Sequence, residues 1–404
     1  MSATTMLHPA LSLPQKAHAL HDLFAAQGAA NEAAGELSAA TLDALHDNGF
    51  FSMFVPASLG GAEVTPTEAL ETIETLCGAD ASTGWVVMAS QLATGAAGAF
   101  LPDPAVAQLF KGQGGGGGRP VIAGQGAANG RAQVVPGGYR LSGKWSYGSG
   151  LKHATHIHTG AWVMEGDKQR LVPGTSNPER RIFIVPREQA QMGDNWDVIG
   201  LRATGSVDYV LDDVFVPDEH THDPAETSTT RGGSFYRIGQ LGMGTIGHTA
   251  FALGVARRAL DELRGLATSK QVRPGVTLSD GESFQENYAA AEGKLRAARA
   301  FVFEAWRDVE GGIARGQRMT QRQITTIRLA LTNVTQVGVE VCNFALRASG
   351  GTGLRAGALQ RCVRDMTAGA QHLLVSAAIQ RDCGVELLGR ADGRMWATMG
   401  LIKP

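Results

Sequence analysis

Three stretches of this 404-residue chain combine side chains suited to chemistry. The first is Trp145-Ser-Tyr147-Gly-Ser149-Gly150, in which two aromatic residues precede a serine set between glycines. Glycine lets backbone approach a ligand, an aromatic ring offers a flat apolar wall, and a hydroxyl both donates and accepts. These parts suit a planar heteroaromatic group held against a sheet; a plain strand-turn-strand with core aromatics is the alternative. The second is Arg364-Asp365 with His372 seven positions on, a spacing that returns to the same face of a continuous helix. From Met366 to Gln380 no acidic residue occurs, so this segment offers an imidazole but no carboxylate base. The third is Ser349-Gly350-Gly351-Thr352-Gly353, which reads either as a helix C-cap and turn or as a loop whose amides meet a phosphate.

Weaker signals surround these. Arg202 belongs to a salt bridge across the β-region or to a ligand or partner contact, and Thr204 and Ser206 satisfy turn backbone groups or face the same ligand. His220, His222 and Asp223 lack a third or fourth metal ligand at usable spacing, so HTHDPAETSTTR reads as a solvated loop. Gly114 to Gly118 reads as a linker, because no strand pattern precedes it and no GK[ST] follows. No Rossmann unit for a nicotinamide is read.

Composition limits the partners. With 36 basic and 38 acidic side chains the formal net charge is −2, so no global field draws the chain to nucleic acid or to an anionic membrane. Four scattered cysteines without CxxC spacing read as reduced, buried thiols. The N-terminal residues lack a basic region leading into an apolar core, so no signal peptide is read and the cytoplasm is expected. The most apolar window, Trp85 to Leu101, is interrupted by Gln91, Thr94, Gly95 and Gly98 and reads as a buried helix.

The elements that must position these residues fall into three regions: 1–118, 119–232 and 233–404. Apolar residues recur at helical spacing from Ala17 to Gly49, with boundaries at Asn31, Ser38 and Asn48-Gly49. Further helices start near Thr67-Glu68 and Ala81. Between Pro120 and Pro217 short alternating runs separated by Gly, Pro and Asn predict a small antiparallel barrel or sandwich. Within it, the Gly137-Gly138 turn opens a hairpin, with one strand over 139–142 and another over Lys144–Tyr147. From Ile238 onward, periodic segments at 246–267, 284–315, 320–346 and 358–388 predict an antiparallel four-helix bundle. The fold class is therefore α+β.

Several of these residues together resemble a known family. Ala81-Ser-Thr-Gly-Trp85, Gly143-Lys144-Trp145 with Ser149-Gly150 and Ala154, Trp196 to Ser206 before Asp212–Pro217, and Arg364-Asp365 with His372 are similar to the acyl-CoA dehydrogenase fold. Their form is that of its monooxygenase branch, the oxygenase components of two-component flavin-dependent monooxygenases. The resemblance runs from about Ala17 to Arg390. It implies an N-terminal α-helical domain, a middle antiparallel β-domain, a C-terminal four-helix bundle and a homotetramer. It also implies reduced flavin (FMNH2 or FADH2) from a separate NAD(P)H:flavin reductase, O2, and a C4a-(hydro)peroxyflavin that hydroxylates or N- or S-oxygenates an aromatic or heteroaromatic small molecule.

By the same resemblance Ser149 lies beside flavin N5 and C4a, and His372 hydrogen-bonds the distal oxygen or a substrate hydroxyl. Trp145, Tyr147, Gly150, Arg202, Thr204 and Ser206 surround the flavin ring, while Gly350, Gly351 and Thr352 approach a neighbouring subunit's flavin. Trp85, Gln91, Phe235 and Tyr236 line the substrate pocket, with Trp85, Trp145, Tyr147 and Phe235 excluding water. Lys270, Arg273 and Arg299 are phosphate partners or solvated helix charges. One departure stands out: many relatives carry a histidine about two turns beyond the Trp85 position, where this chain has Ser90-Gln91-Leu92-Ala93. The rival readings are an acyl-thioester dehydrogenase using Glu304 or Asp308, an amine or nitro-compound oxidase, and a non-enzymatic assembly protein with a vestigial flavin cleft.

Overall fold

Helix starts are written into the sequence by capping side chains. Ser12 and Thr65 each accept the N–H three residues on, while Gln15 and Glu68 reach back to the cap's own N–H. Two donors that a helix start leaves unpaired are thereby satisfied. The computed structural model describes residues 6–8, 10–112, 118–229 and 231–403, so Gly114 to Gly117 of the glycine run lie outside the described residues. The N-terminal helices are α1 (Leu13–Ala19), α2 (His21–Ala34), α3 (Ala39–Asp47), α4 (Pro66–Ala79), α5 (Ala81–Phe100) and α6 (Asp103–Phe110). Asn31, read as a boundary, sits inside α2 with its buried side chain accepting the Ser38 N–H at 2.9 Å. The chain turns instead at Gly35, in the left-handed region.

The strands are β1 (Ile122–Val135), β2 (Gly138–Trp145), β3 (His156–Glu165), β4 (Lys168–Gln169), β5 (Arg180–Pro186), β6 (Gln191–Met192), β7 (Tyr209–Pro217) and β8 (Thr221–His222). They form one sheet in the order β6-β7-β2-β1-β3-β5-β8, with β4 on β3. This sheet is mixed, which corrects the all-antiparallel expectation: β1 and β3 run parallel from Ile122↔His156 to Gln133↔Met164. The cause is the connection. β2 folds back on β1 through the Gly137 turn, and residues 146–155 bring the chain to β1's other edge at its starting end. The strand expected over Lys144–Tyr147 is the end of an unbroken β2, and Tyr147 lies beyond it at φ +63°. His222 is not in a solvated loop; it is buried on β8, paired to β5.

The C-terminal part contains α7 (Gly239–Ser269), the hairpin β9 (Gln271–Arg273) and β10 (Val276–Thr277), then α8 (Glu282–Ala314), α9 (Gln321–Ser349), α10 (Ala358–Gly369), α11 (Ala377–Leu387) and the hairpin β11 (Met395–Ala397) and β12 (Gly400–Ile402). The single helix expected over 358–388 is broken. At Gly369, where a Cβ would run into the Phe251 ring of α7, α10 stops, and the chain passes through one tight turn, Leu373–Val375, before α11. Asp365 and His372 therefore do not share a helical face.

Apolar side chains of α1 to α5 and of α7 to α10 form one contiguous core, and the sheet has its own around Leu141, Trp145, Phe183 and Tyr209. All four cysteines are free and buried. Among the described residues no helix is long and apolar enough to cross a membrane, and no group of three or more metal-ligating side chains occurs.

Candidate active site

Trp85 stands one turn into α5, whose start is fixed by the Asp80 side chain accepting the Thr83 N–H. Its ring is edge-on to His248 and Phe251 of α7, both at 4.9 Å, and to His372 at 6.1 Å. Its indole N–H donates to Ser149 Oγ at 3.1 Å. Ser149 occupies the turn after β2, shaped by left-handed Tyr147 and Gly150 and tied to the neighbouring turn by Gly148 N–H to Val207 O and Gly150 N–H to Thr204 O, both 3.0 Å. That neighbouring turn, Arg202–Thr204, lies between left-handed Leu201 and Gly205.

A line of hydroxyls joins the two turns. Ser149 Oγ is 2.7 Å from Ser206 Oγ, which is 2.7 Å from Thr204 Oγ1, whose hydroxyl donates to Leu201 O at 2.7 Å. The other end of Leu201 is anchored too, its N–H donating to Asp365 Oδ1 of α10 at 2.6 Å. Burial pushes the Asp365 carboxyl up to about 7. Arg364 beside it pairs with Glu32 of α2 and donates to Ile199 O.

His372 and His248 stack with centroids 3.8 Å apart and planes 27° from parallel. The Leu374 N–H donates to His372 Nδ1 at 3.3 Å, so the neutral ring carries its proton on Nε2. Burial pulls His372 down to about 4 and His248 well below its ordinary value, with the neighbouring imidazole adding to the effect on His248. At neutral pH the pair is uncharged.

Trp85, Ser149, Gly150, Thr204, Ser206 and His372 are thus brought together, and His248 joins them. Sequence reasoning missed His248, because a lone histidine within the apolar periodicity of a long helix reads as core. Other residues stand elsewhere. Trp145 is fully buried in the sheet's core, stacked on Tyr209 at 5.4 Å with its N–H on Gly160 O. Tyr147 is exposed, edge-on to Trp196 at 6.1 Å. Arg202 pairs locally with Asp197 and donates to Val198 O, rather than bridging the sheet.

Gln91, Phe235 and Tyr236 are buried and converge on Phe54. Gln91 Oε1 accepts the Phe54 N–H, the Tyr236 hydroxyl donates to Phe54 O, and Phe235 packs on its ring at 4.8 Å. Their observed contacts are structural, although Gln91 Nε2 is left without a partner. The Gly350–Leu354 turn holds Gly350, Gly351 and Thr352 exposed, with Lys270 Nζ donating to Ser349 O at 2.7 Å and Arg273 exposed on the adjoining β9. Arg299 is committed to Glu74 and to the Phe303 ring. Glu304 and Asp308 are exposed on α8, so neither is a buried base. An open groove of 530 Å³ lies apart from this cluster, lined by Arg257, Arg258, Asp261 and Glu262, whose charges already pair.

These residues fit a flavin edge at Ser149, a half-buried hydroxyl between a tryptophan donor and a buried relay, where Gly150 at φ +80° keeps the backbone free of a side chain. Comparison with known proteins gives the family. Residues 18–100 match the model of the acyl-CoA dehydrogenase N-terminal domain and residues 246–377 that of the acyl-CoA dehydrogenase C-terminal domain. An indole-3-acetate monooxygenase of Pseudomonas putida is 32% identical over 364 residues, covering 88% of each chain. The oxygenase component of an FADH(2)-dependent resorcinol hydroxylase of Rhizobium sp. (strain MTP-10005) is 30% identical over 407 residues, 94% of this chain and 95% of that one. The crystal structure of 3-HSA hydroxylase from Rhodococcus sp. RHA1 superposes with a TM-score of 0.85 at 23% identity, over 97% of this chain and all of the other.

Proposed function

Since the chain belongs to the acyl-CoA dehydrogenase family, in its flavin-dependent monooxygenase branch, we propose that the cluster around Ser149 and His372 is where it oxygenates an aromatic or heteroaromatic small molecule. The protein is an oxygenase component that takes reduced flavin from a separate reductase, together with O2. Relatives named for indole-3-acetate and resorcinol support the substrate class. The observation that carries the assignment of the site is the convergence of Trp85, Ser149 and the neutral His248–His372 stack.

Bound reduced flavin supplies the two electrons that let one oxygen atom enter the substrate while the other leaves as water. The chain's residues do the rest. Ser149 holds the N5 edge, and His372 offers its Nε2–H to the reacting oxygen or to a substrate hydroxyl. Because burial keeps the imidazole neutral, it passes a proton without placing a fixed charge there. Trp85 and Phe251 exclude water on the helical side. The exposed Gly350–Thr352 turn, with Lys270 and Arg273 beside it, is assigned to the flavin tail of a neighbouring subunit in a homotetramer. Four buried free thiols accord with a reducing cytoplasm. An acyl-thioester dehydrogenase finds no support, since Glu304 and Asp308 are exposed.

The test is to mix the protein anaerobically with reduced FMN or reduced FAD, add oxygen, and follow the return of oxidised-flavin absorbance. Wild type is expected to delay that return relative to free flavin. Ser149→Ala and His372→Ala are each expected to shorten the delay by at least about tenfold. Reoxidation at the free-solution rate with saturating wild-type protein would refute the reading.

A further inference from the structure

The hydroxyl line between the two turns has a direction. Thr204 has one hydroxyl proton, and it is committed to the Leu201 carbonyl, which can only accept. In the 2.7 Å contact with Ser206, Thr204 must then accept, so Ser206 spends its own proton there. At its other contact Ser206 must accept from Ser149, again at 2.7 Å. Ser149 also accepts from Trp85, whose indole N–H can only donate. The protons therefore all point one way, from Trp85 through Ser149, Ser206 and Thr204 to Leu201 O. Ser206 and Thr204 are buried, whereas Ser149 is half-buried. What Ser149 presents on its open side is a single lone pair and no proton.

We propose that Thr204 and Ser206 are positioning residues that make Ser149 an obligate acceptor, and that this relay selects the reduced flavin over the oxidised one. The proposal rests on the reading that flavin N5 meets Ser149. Reduced flavin carries a hydrogen on N5 and can donate to that lone pair; in oxidised flavin N5 is itself an acceptor, so two lone pairs oppose each other. Leu201 is held for this task at both ends, by Asp365 at its N–H and by Thr204 and the Trp196 indole at its carbonyl. The proton sink of the relay is thus built into the fold, and no titration is needed to set its direction.

The experiment measures dissociation constants for the oxidised and reduced forms of the same flavin, anaerobically, by ultrafiltration. Wild type is expected to favour the reduced form. In Thr204→Val, which keeps the shape but removes the sink, and in Ser206→Ala, the Ser149 proton is freed to turn outward. The preference should then shrink about tenfold, the scale of one hydrogen bond, through tighter binding of oxidised flavin. Ser149→Ala should shrink it by losing reduced flavin instead, and Thr204→Ser should restore the wild-type ratio. The relay is overturned if Thr204→Val and Ser206→Ala keep the wild-type ratio or weaken both forms equally, or if wild type binds both forms alike. Failure of wild type to bind reduced flavin at all would instead overturn the proposed function, and this inference with it.

Discussion

His158 of β3 and His222 of β8 lie 6.3 Å apart, with Phe100 of α5 at 5.9 Å from His222. His158 Nδ1 has no partner, so nothing there compensates a charge. Burial, reinforced by His222, pulls His158 down to about 3. Burial likewise pulls His222 to about 4, with Arg181 adding to it and the Asp223 carbonyl and Glu226 opposing it. In the unfolded chain both would take a proton near pH 6.5. Between that pH and about 4 the unfolded state binds more protons, so stability is complete above pH 6.5 and declines as pH falls. The unfolding free energy from urea titration should drop by about 2 kcal/mol per imidazole from pH 7 to pH 5. His158→Gln should remove part of that slope, and a level wild-type profile over this range would contradict the account. At this scale the sequence exposed the residue types but not their partners: His222 read as a loop residue because burial by Phe100 and β5 is not a local property.

At the scale of elements, the site depends on how closely α4, α5 and α7 approach. On α7 a Cβ at Gly254 would stand 2.8 Å from Cys77 Cβ and from Gly78 N of α4, so the two helices meet at backbone distance. On α5, Gly84, next to Trp85, would meet Cys77 N at 2.8 Å in the same way. Gly254→Ala should therefore force α4 and α7 apart and cost about 1–3 kcal/mol. An unchanged midpoint and slope in urea unfolding would show that the helices part freely. The long helices were legible because apolar periodicity and a boundary residue such as Ser38 are short-range signals. The end of α10 was not. Its periodic pattern runs on past residue 369, yet α10 ends there, where Gly369 lets the helix lie against the Phe251 ring of α7.

At the scale of the molecule, one apolar core runs through helices from both ends of the chain, so the N-terminal and C-terminal helices cannot be positioned independently. Beyond that core, Leu387, Leu388, Met395, Met399 and Ile402 remain exposed near the C-terminus, and Leu354 beside the glycine turn. Apolar surface of this kind is what neighbouring chains would cover if the proposed homotetramer forms. Sedimentation at micromolar concentration should give the mass of four chains, and a monomer there would defeat both the tetramer and the assignment of Gly350–Thr352 to a neighbour's flavin.

The sequence by itself determined which regions are helical and which are strand-rich, the α+β class and the residue types that Ser149 and His372 bring, because periodicity, caps and turn residues act over a few positions. Tertiary structure alone decided the parallel β1–β3 pairing, the burial of Trp145 in the sheet, the pairing of His248 with His372 and the direction of the Ser149 relay. Each of these joins residues far apart in the chain through one contact of a few ångströms, and such contacts exist only once both elements have packed on a shared core.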